Sequence, residues 1–391
     1  MSVQLGIERL IDDQAGLLTG ARVGAVVHPA SVLPDLRHTV DALVGDKRFE
    51  LVSLFGPQHG ARGEKQDNMI ESEFYRDPET GLPVHSLYGS TRSPEEGMLE
   101  DLDVLIYDLQ DVGTRVYTFI HTMACCMQAC AKFRKRMVIA DRPNPIGGVA
   151  VEGDLLDPAY RSFVGLYPIP MRHGMTVGEL ARLFNSEYGI GCDLAVVPMR
   201  GWRRSMWFDQ TGLPWVQPSP NLPTLESAVV YPGTVLVEGT TLSEGRGTTR
   251  PFEYVGAPYI RPGELAPRLN SLGLPGVVFR PAYFEPTFQK WGGAMCGGVQ
   301  VHVRDRNCFE PYLTGITVIS LIRSLYPDSC SWRQPPYEYE YEKLPIEILC
   351  GGRKVPGLIE RGAAPAEIRD SWREDVALFR KQRASYLLYE D

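Results

Sequence analysis

Five short apolar runs rich in β-branched residues punctuate the first half of the chain, and most of them stop abruptly on a polar loop. They are residues 22–27 (RVGAVV), 49–55 (FELVSLF), 103–107 (DVLIY), 137–140 (MVIA) and 194–198 (LAVVP). Runs this short, apolar at nearly every position, suit strands covered on both faces, as in a parallel sheet. Residues 83–87 (PVHSL) are a further candidate. Helical periodicity fills the intervals at 38–44, 117–132 and 176–188, and the last begins with Thr176 and Glu179 at capping-box spacing. The alternation predicts right-handed βαβ units and therefore an α/β fold with a Rossmann-like, mainly parallel sheet. In such sheets ligands sit outside the carboxyl ends of the strands.

The pattern changes after Trp215. Residues 218–223 (PSPNLP) form a rigid connection, followed by a Gly/Thr-rich stretch at 236–250. Strands are expected near 276–279 and 298–303, and helices at 315–326 and 366–386, with Pro365 suited to the first position of the latter. A chain of 391 residues exceeds the roughly 250–300 residues at which one core stops growing. The reading is a Rossmann-like domain at 1–216, a smaller α+β domain at 217–391, and an active-site cleft between them.

Charge and cysteine usage narrow the partners. A net charge of −8 repels phosphate backbones and anionic membrane surfaces, so neither nucleic acid nor membrane is an expected partner. The opening MSVQLGIERLIDDQAGLL lacks the basic and apolar regions of a secretory signal. The 8 cysteines form no C-x-x-C pair and no zinc spacing, which predicts reduced thiols, a cytoplasmic location and no metal. The Gly147-Gly148 pair fits neither G-x-G-x-x-G nor a Walker loop, so no nucleotide cofactor is expected.

Four polar segments are positioned to carry chemistry. In FGPQHGARGE (55–64), Gln58, His59, Arg62 and Glu64 follow a predicted strand on a loop tightened by glycine and proline. In DLQDVGTRVYT (108–118), Asp108 follows an apolar strand, where a carboxylate needs a partner or a cleft. Arg115 is the expected partner, Tyr117 lies close by, and Asp111 reads equally as a site residue or a helix cap. In DRPNP (141–145), Asp141, Arg142 and Asn144 sit on a proline-locked loop, either as a binding surface or as an Asp141–Arg142 structural pair. The segment 238–253 (EGTTLSEGRGTTRPFE) gathers Glu238, Glu244, Arg246, Thr248 and Arg250, a donor set suited to sugar hydroxyls. Asn221 lies on the rigid connection. Trp202, Trp207 and Trp215 suit either sugar stacking or the core.

These segments, in this order, resemble the NamZ family of exo-β-N-acetylmuramidases. The resemblance runs from Gly6-Ile7-Glu8-Arg9-Leu10 to Tyr386-Leu387-Leu388-Tyr389 and includes DLQDVGTRVYTF, RHGMTVGELA, PSPNLPTL and SEGRGTTRPFE. It implies a two-domain α/β glycosidase that releases N-acetylmuramic acid from the non-reducing ends of peptidoglycan fragments, here in the recycling of wall material inside the cell. The substrate is then a small-molecule or oligosaccharide amino sugar, with catalytic carboxylates drawn from Glu64, Asp108, Asp111 and Glu244. Arg115, Arg142, Arg246 and Arg250 would hold the lactyl carboxylate or sugar hydroxyls. One position departs from the family loop GPEHG, whose glutamate is a favoured catalytic acid: Gln58 stands there. An amide cannot serve as a general acid, a contribution of roughly 10²–10⁴-fold. Three outcomes remain: another carboxylate carries the proton, with His59 adjacent as a proton shuttle; the chain is a catalytically weakened sugar-binding homologue; or it acts on a different glycoside or by different chemistry.

Overall fold

The computed structural model describes residues 2–63 and 74–391. In chain order the first half contains α1 (Gly6–Asp12), β1 (Arg22–Val26), α2 (Thr39–Val44), β2 (Glu50–Gly56), β3 (Tyr75–Arg76), β4 (Pro83–Ser86) and α3 (Glu96–Leu99). It continues with β5 (Val104–Tyr107), α4 (Phe119–Phe133), β6 (Arg136–Ala140), α5 (Val177–Glu187) and β7 (Asp193–Val197). The second half contains α6 (Leu225–Thr234), β8 (Tyr254–Ala257), α7 (Pro262–Ser271), β9 (Val277–Phe284), β10 (Cys296–Val303) and α8 (Pro311–Leu325). Four short helices close the chain: α9 (Pro345–Cys350), α10 (Lys354–Glu360), α11 (Pro365–Ser371) and α12 (Arg373–Arg383).

The first half builds a seven-stranded sheet in the order β3-β4-β2-β1-β5-β6-β7. Every pairing in it is parallel except the edge pair β3–β4. The second half adds a three-stranded antiparallel sheet, β8-β10-β9. The architecture is therefore mixed α/β, with a mainly parallel sheet and a small second sheet.

Burial explains the apolar runs. Val104 and Ile106 of β5 join a core with α1, α2 and the same face of β6, while Leu105 and Tyr107 join a core with α4 and α5. Alternate residues of one strand thus enter opposite cores, so no position can be polar. The second of these cores continues without a break into α6, α8 and the small sheet. The capping box at the start of α5 forms as its spacing predicts: Thr176 Oγ1 accepts from the Glu179 N–H, and the Glu179 carboxylate accepts from the Thr176 N–H.

Two expectations need correction. Residues 366–386 do not form one helix but α11, α12 and a short 3₁₀ turn, interrupted at Trp372. There the backbone leaves helical geometry (φ −107°, ψ 10°) and the indole is buried against Tyr312, ring centroids 5.1 Å apart. The Gly/Thr-rich stretch is not loop from its start, because residues Val235–Gly239 continue α6 as a 3₁₀ turn. Among the described residues no helix is long and apolar enough to cross a membrane.

Candidate active site

The chain enters the large sheet at β1, runs outward to β2, then returns to the other side of β1 at β5. Strand order reverses there, which opens a crevice beyond the carboxyl ends. Gln58 and His59 lie on the loop just after β2, and Val116, Tyr117 and Thr118 lie in the segment between β5 and α4. Both groups line one narrow cavity, whose other wall comes from the second half: Ser219, Tyr231, Glu238, Arg246, Tyr337 and Glu338. Of the residues singled out from sequence, this brings together Gln58, His59, Tyr117, Glu238 and Arg246.

The wall from the second half is ionic. Arg246 Nη2 donates to Glu238 Oε1 (2.7 Å), and Tyr337 donates its hydroxyl to Glu238 Oε2 (2.8 Å). Glu244 stands behind, with Arg246 Nε at 3.4 Å and Lys290 Nζ at 2.7 Å. Burial works to raise the Glu238 carboxyl, but the Arg246 guanidinium and the Tyr337 hydroxyl outweigh it and hold the group below the usual carboxylate range. The two carboxylates in turn hold Arg246 firmly charged despite its burial.

A chain of neutral hydrogen bonds runs from the first half to an acid of the second. Thr118 Oγ1 donates to Gln58 Oε1 (2.9 Å), Gln58 Nε2 donates to the Tyr88 hydroxyl (3.2 Å), and Tyr88 donates to Glu338 Oε2 (2.7 Å). Burial pushes the Glu338 carboxyl above its ordinary value; the Tyr88 hydrogen bond opposes this and the Glu238 charge adds to it. The cavity therefore holds two carboxyl groups driven in opposite directions, Glu238 towards the anion and Glu338 towards the neutral acid. That divergence is what acid–base chemistry on one substrate requires. Ser219 Oγ lies 3.4 Å from His59 Nε2.

Other sequence candidates lie elsewhere. Asp108 is fully buried and pairs not with Arg115 but with Arg142, through Nε (2.6 Å) and Nη2 (2.8 Å), while Thr39 donates to it at 2.6 Å. The Asp141–Arg142 side-chain pair does not form either; Asp141 accepts from Thr176 Oγ1 and the backbone N–H groups of Gly178 and Arg142, tying β6 to α5. Among the described residues Arg115 has no carboxylate on its guanidinium; it donates to the carbonyls of Asp154, Ile169 and Leu349 and so fastens the two halves together. Asp111 accepts from the Gly113 N–H (2.7 Å) and lies 3.4 Å from His173. Asn144 closes its own turn on Ile146 and Met175.

Arg62 is held by Asp77 at 2.9 and 3.0 Å. Thr248 caps the Gly245 carbonyl, and half-exposed Arg250 pairs with Glu253. Asn221 is buried next to the cavity wall but does not line it. Trp202 and Trp207 are buried core residues. Glu64 falls outside the described residues. A wider surface groove, lined by Leu225, Glu226, Val229, Glu253, His302 and Arg304, is drawn from the second half alone.

Sequence reasoning missed Tyr88, Thr118, Tyr337 and Glu338. The signal for Glu338 was the alternation of three tyrosines and three glutamates in YEYEYEK, a stretch too far from the other motifs for local pattern to connect them.

Known proteins resemble this chain along almost its whole length. The family model described as "Exo-beta-N-acetylmuramidase NamZ, N-terminal" matches residues 23–226, and its C-terminal counterpart matches residues 229–389. A curated relative from Bacillus subtilis (strain 168), peptidoglycan beta-N-acetylmuramidase NamZ, is 48% identical over 388 residues, covering 99% of this chain and 91% of the relative. Two crystal structures of DUF1343 family proteins from Bacteroides fragilis NCTC 9343 are also similar. One has a TM-score of 0.90 at 37% identity, covering 100% of this chain and 99% of that one. The other has a TM-score of 0.78 at 31% identity, covering 100% of both chains.

Proposed function

This chain belongs to the exo-β-N-acetylmuramidase NamZ family, and from that premise we propose that it is a glycosidase releasing terminal N-acetylmuramic acid from the non-reducing ends of peptidoglycan fragments. The observation that carries the reading is the convergence of Gln58, His59 and Tyr117 with Glu238, Arg246 and Glu338 around one cavity, where one carboxyl is driven to the anion and the other to the neutral acid. Glycoside cleavage uses such a pair: a proton for the leaving oxygen and negative charge for the cationic anomeric carbon.

The cavity lies between residues that precede position 216 and residues that follow it, so a division there puts the site in the interdomain cleft. Arg246 is the cation presented to an acidic sugar, with Tyr117 and Tyr231 supplying apolar edges. The protein acts on recycled wall fragments in the cytoplasm, a setting supported by eight free cysteines. A second reading, sugar binding with little turnover, draws on Gln58, which cannot supply a proton. The assay that separates them is release of a chromogenic aglycone from a β-N-acetylmuramide. Steady turnover by the wild-type protein is expected. Its absence, with tight binding of N-acetylmuramic acid retained, would replace the hydrolase reading with the binding one.

A further inference from the structure

We infer that Glu338 is the proton donor of this glycosidase, doing the work that Gln58 cannot. The inference rests on the glycosidase reading above.

Three independent features of the fold support it. First, Glu338 lines the same cavity as Gln58 and is 5% exposed. Position 58 and Glu338 are joined through one hydroxyl, because Tyr88 accepts from Gln58 Nε2 and donates to Glu338 Oε2. The second oxygen, Glu338 Oε1, takes no part in that chain.

Second, the backbone that presents Glu338 is costly. Tyr337 and Glu340 exchange N–H to carbonyl hydrogen bonds at 2.9 Å in both directions, making Glu338 and Tyr339 the central pair of a two-residue hairpin. Both central residues have positive φ, 45° and 66°. Asn-Gly is the usual solution for such a turn, since side chains resist that region. A glutamate and a tyrosine occupy it here, and the result is a carboxyl inserted into a cavity instead of solvent. Strain of this kind collects at functional sites.

Third, the turn is clamped. The Arg92 guanidinium lies between two rings, 4.3 Å from the Tyr88 centroid and 4.2 Å from the Tyr339 centroid. Tyr88 and Tyr339 themselves meet edge to face at 6.1 Å. The acid and its hydrogen-bond partner are thereby held as one unit, and Tyr88 is a positioning residue for Glu338.

In the reaction the glycosidic C–O bond breaks, and the leaving oxygen keeps the electron pair and takes the Glu338 proton. A water molecule forms the new bond at the anomeric carbon, and its surplus proton restores the Glu338 carboxyl. The ionised Glu238, fixed by Arg246 and Tyr337, stabilises positive charge at the anomeric carbon.

The test compares wild type and Glu338→Gln on two β-N-acetylmuramides, one with an N-acetylglucosamine leaving group and one with 2,4-dinitrophenolate, which departs without a proton. Glu338→Gln is expected to lose about 10²–10⁴-fold in kcat/KM on the disaccharide, the range for general acid catalysis. The same variant should lose less than about tenfold on the dinitrophenyl glycoside and lose the basic limb of its pH profile. The dinitrophenyl activity also reports that the variant is folded.

Tyr88→Phe gives a second readout. Its hydroxyl favours the Glu338 anion, so removing it should move the basic limb of kcat/KM to higher pH. Equal losses on both substrates in Glu338→Gln would mark a structural role and overturn the assignment. Wild-type turnover confined to the dinitrophenyl glycoside would overturn it too, while leaving the glycosidase reading intact. Wild-type inactivity on both substrates would remove that reading and this inference together.

Discussion

Asp108→Asn separates architecture from chemistry at the carboxyl end of the sheet. Asp108 and Arg142 are 0% and 4% exposed, and among the described residues the guanidinium otherwise reaches only the Val32 carbonyl, at 3.1 Å. Removing the carboxylate strands a buried cation, which costs about 3–5 kcal/mol. Unfolding entropy near 2.1 cal/mol/K per residue over 391 residues amounts to roughly 0.8 kcal/mol/K. The melting temperature should therefore fall by about 4–6 °C in scanning calorimetry. Replacing both partners, as in Asp108→Leu with Arg142→Met, should recover most of that loss, because an apolar pair leaves no charge unsatisfied. Neither residue lines the cavity, so kcat/KM for a β-N-acetylmuramide, measured well below the melting range, should stay within a few-fold of wild type. A hundredfold loss of activity without a change in melting temperature would refute the reasoning and return Asp108 to the active site.

Further perturbations address the cavity, the pH response and the packing. Arg246→Met removes the cation that holds Glu238 ionised; kcat/KM should fall by about 10²–10³-fold, and the acidic limb of the pH profile should move upward. Glu152, buried with its carboxyl raised to about 7 chiefly by burial, is protonated more readily in the folded state than in the unfolded state. Its contribution to stability is therefore complete below about pH 4.5 and disappears as pH rises to about 7, a difference of about 3 kcal/mol. Chemical denaturation of Glu152→Gln should show a flatter stability profile across that window than wild type. Gly315→Ala places a Cβ 2.1 Å from the Gly233 carbonyl oxygen, where α8 crosses α6. A forced separation of the helices should destabilise the fold by about 1–3 kcal/mol, read as a lower denaturation midpoint.

The central strands were legible because each is buried on both faces. Residues 104–107 and 137–140 have no solvent side to spend on a polar residue, so the apolar runs located β5 and β6 within a residue of their ends. The N-terminus of α5 was legible for a local reason, since Thr176 and Glu179 satisfy each other's backbone donors across three residues. Helix α6 was not, because Pro232 lies inside it and proline reads as a breaker.

The site divides along the same line. Gln58, His59, Glu238 and Arg246 were visible as polar groups on loops beside apolar elements. Asp108 and Arg142 gave the same signal but answer one another beneath the loops, and sequence alone does not state which arginine a buried carboxylate will choose. Glu338 was invisible because its meaning depends on Tyr88, 250 positions away along the chain, and on a hairpin that lacks the usual Asn-Gly signature.

The central claim is that the cavity between Glu238 and Glu338 is the seat of one acidic amino sugar. The direct measurement is a crystal structure with N-acetylmuramic acid bound. The account predicts the ring against Tyr117 and Tyr231, with oxygen atoms of the sugar within hydrogen-bond distance of Arg246 and of Glu338 Oε1. A sugar lodged instead in the groove by Leu225 and Arg304, leaving that cavity empty at saturating concentration, would contradict it.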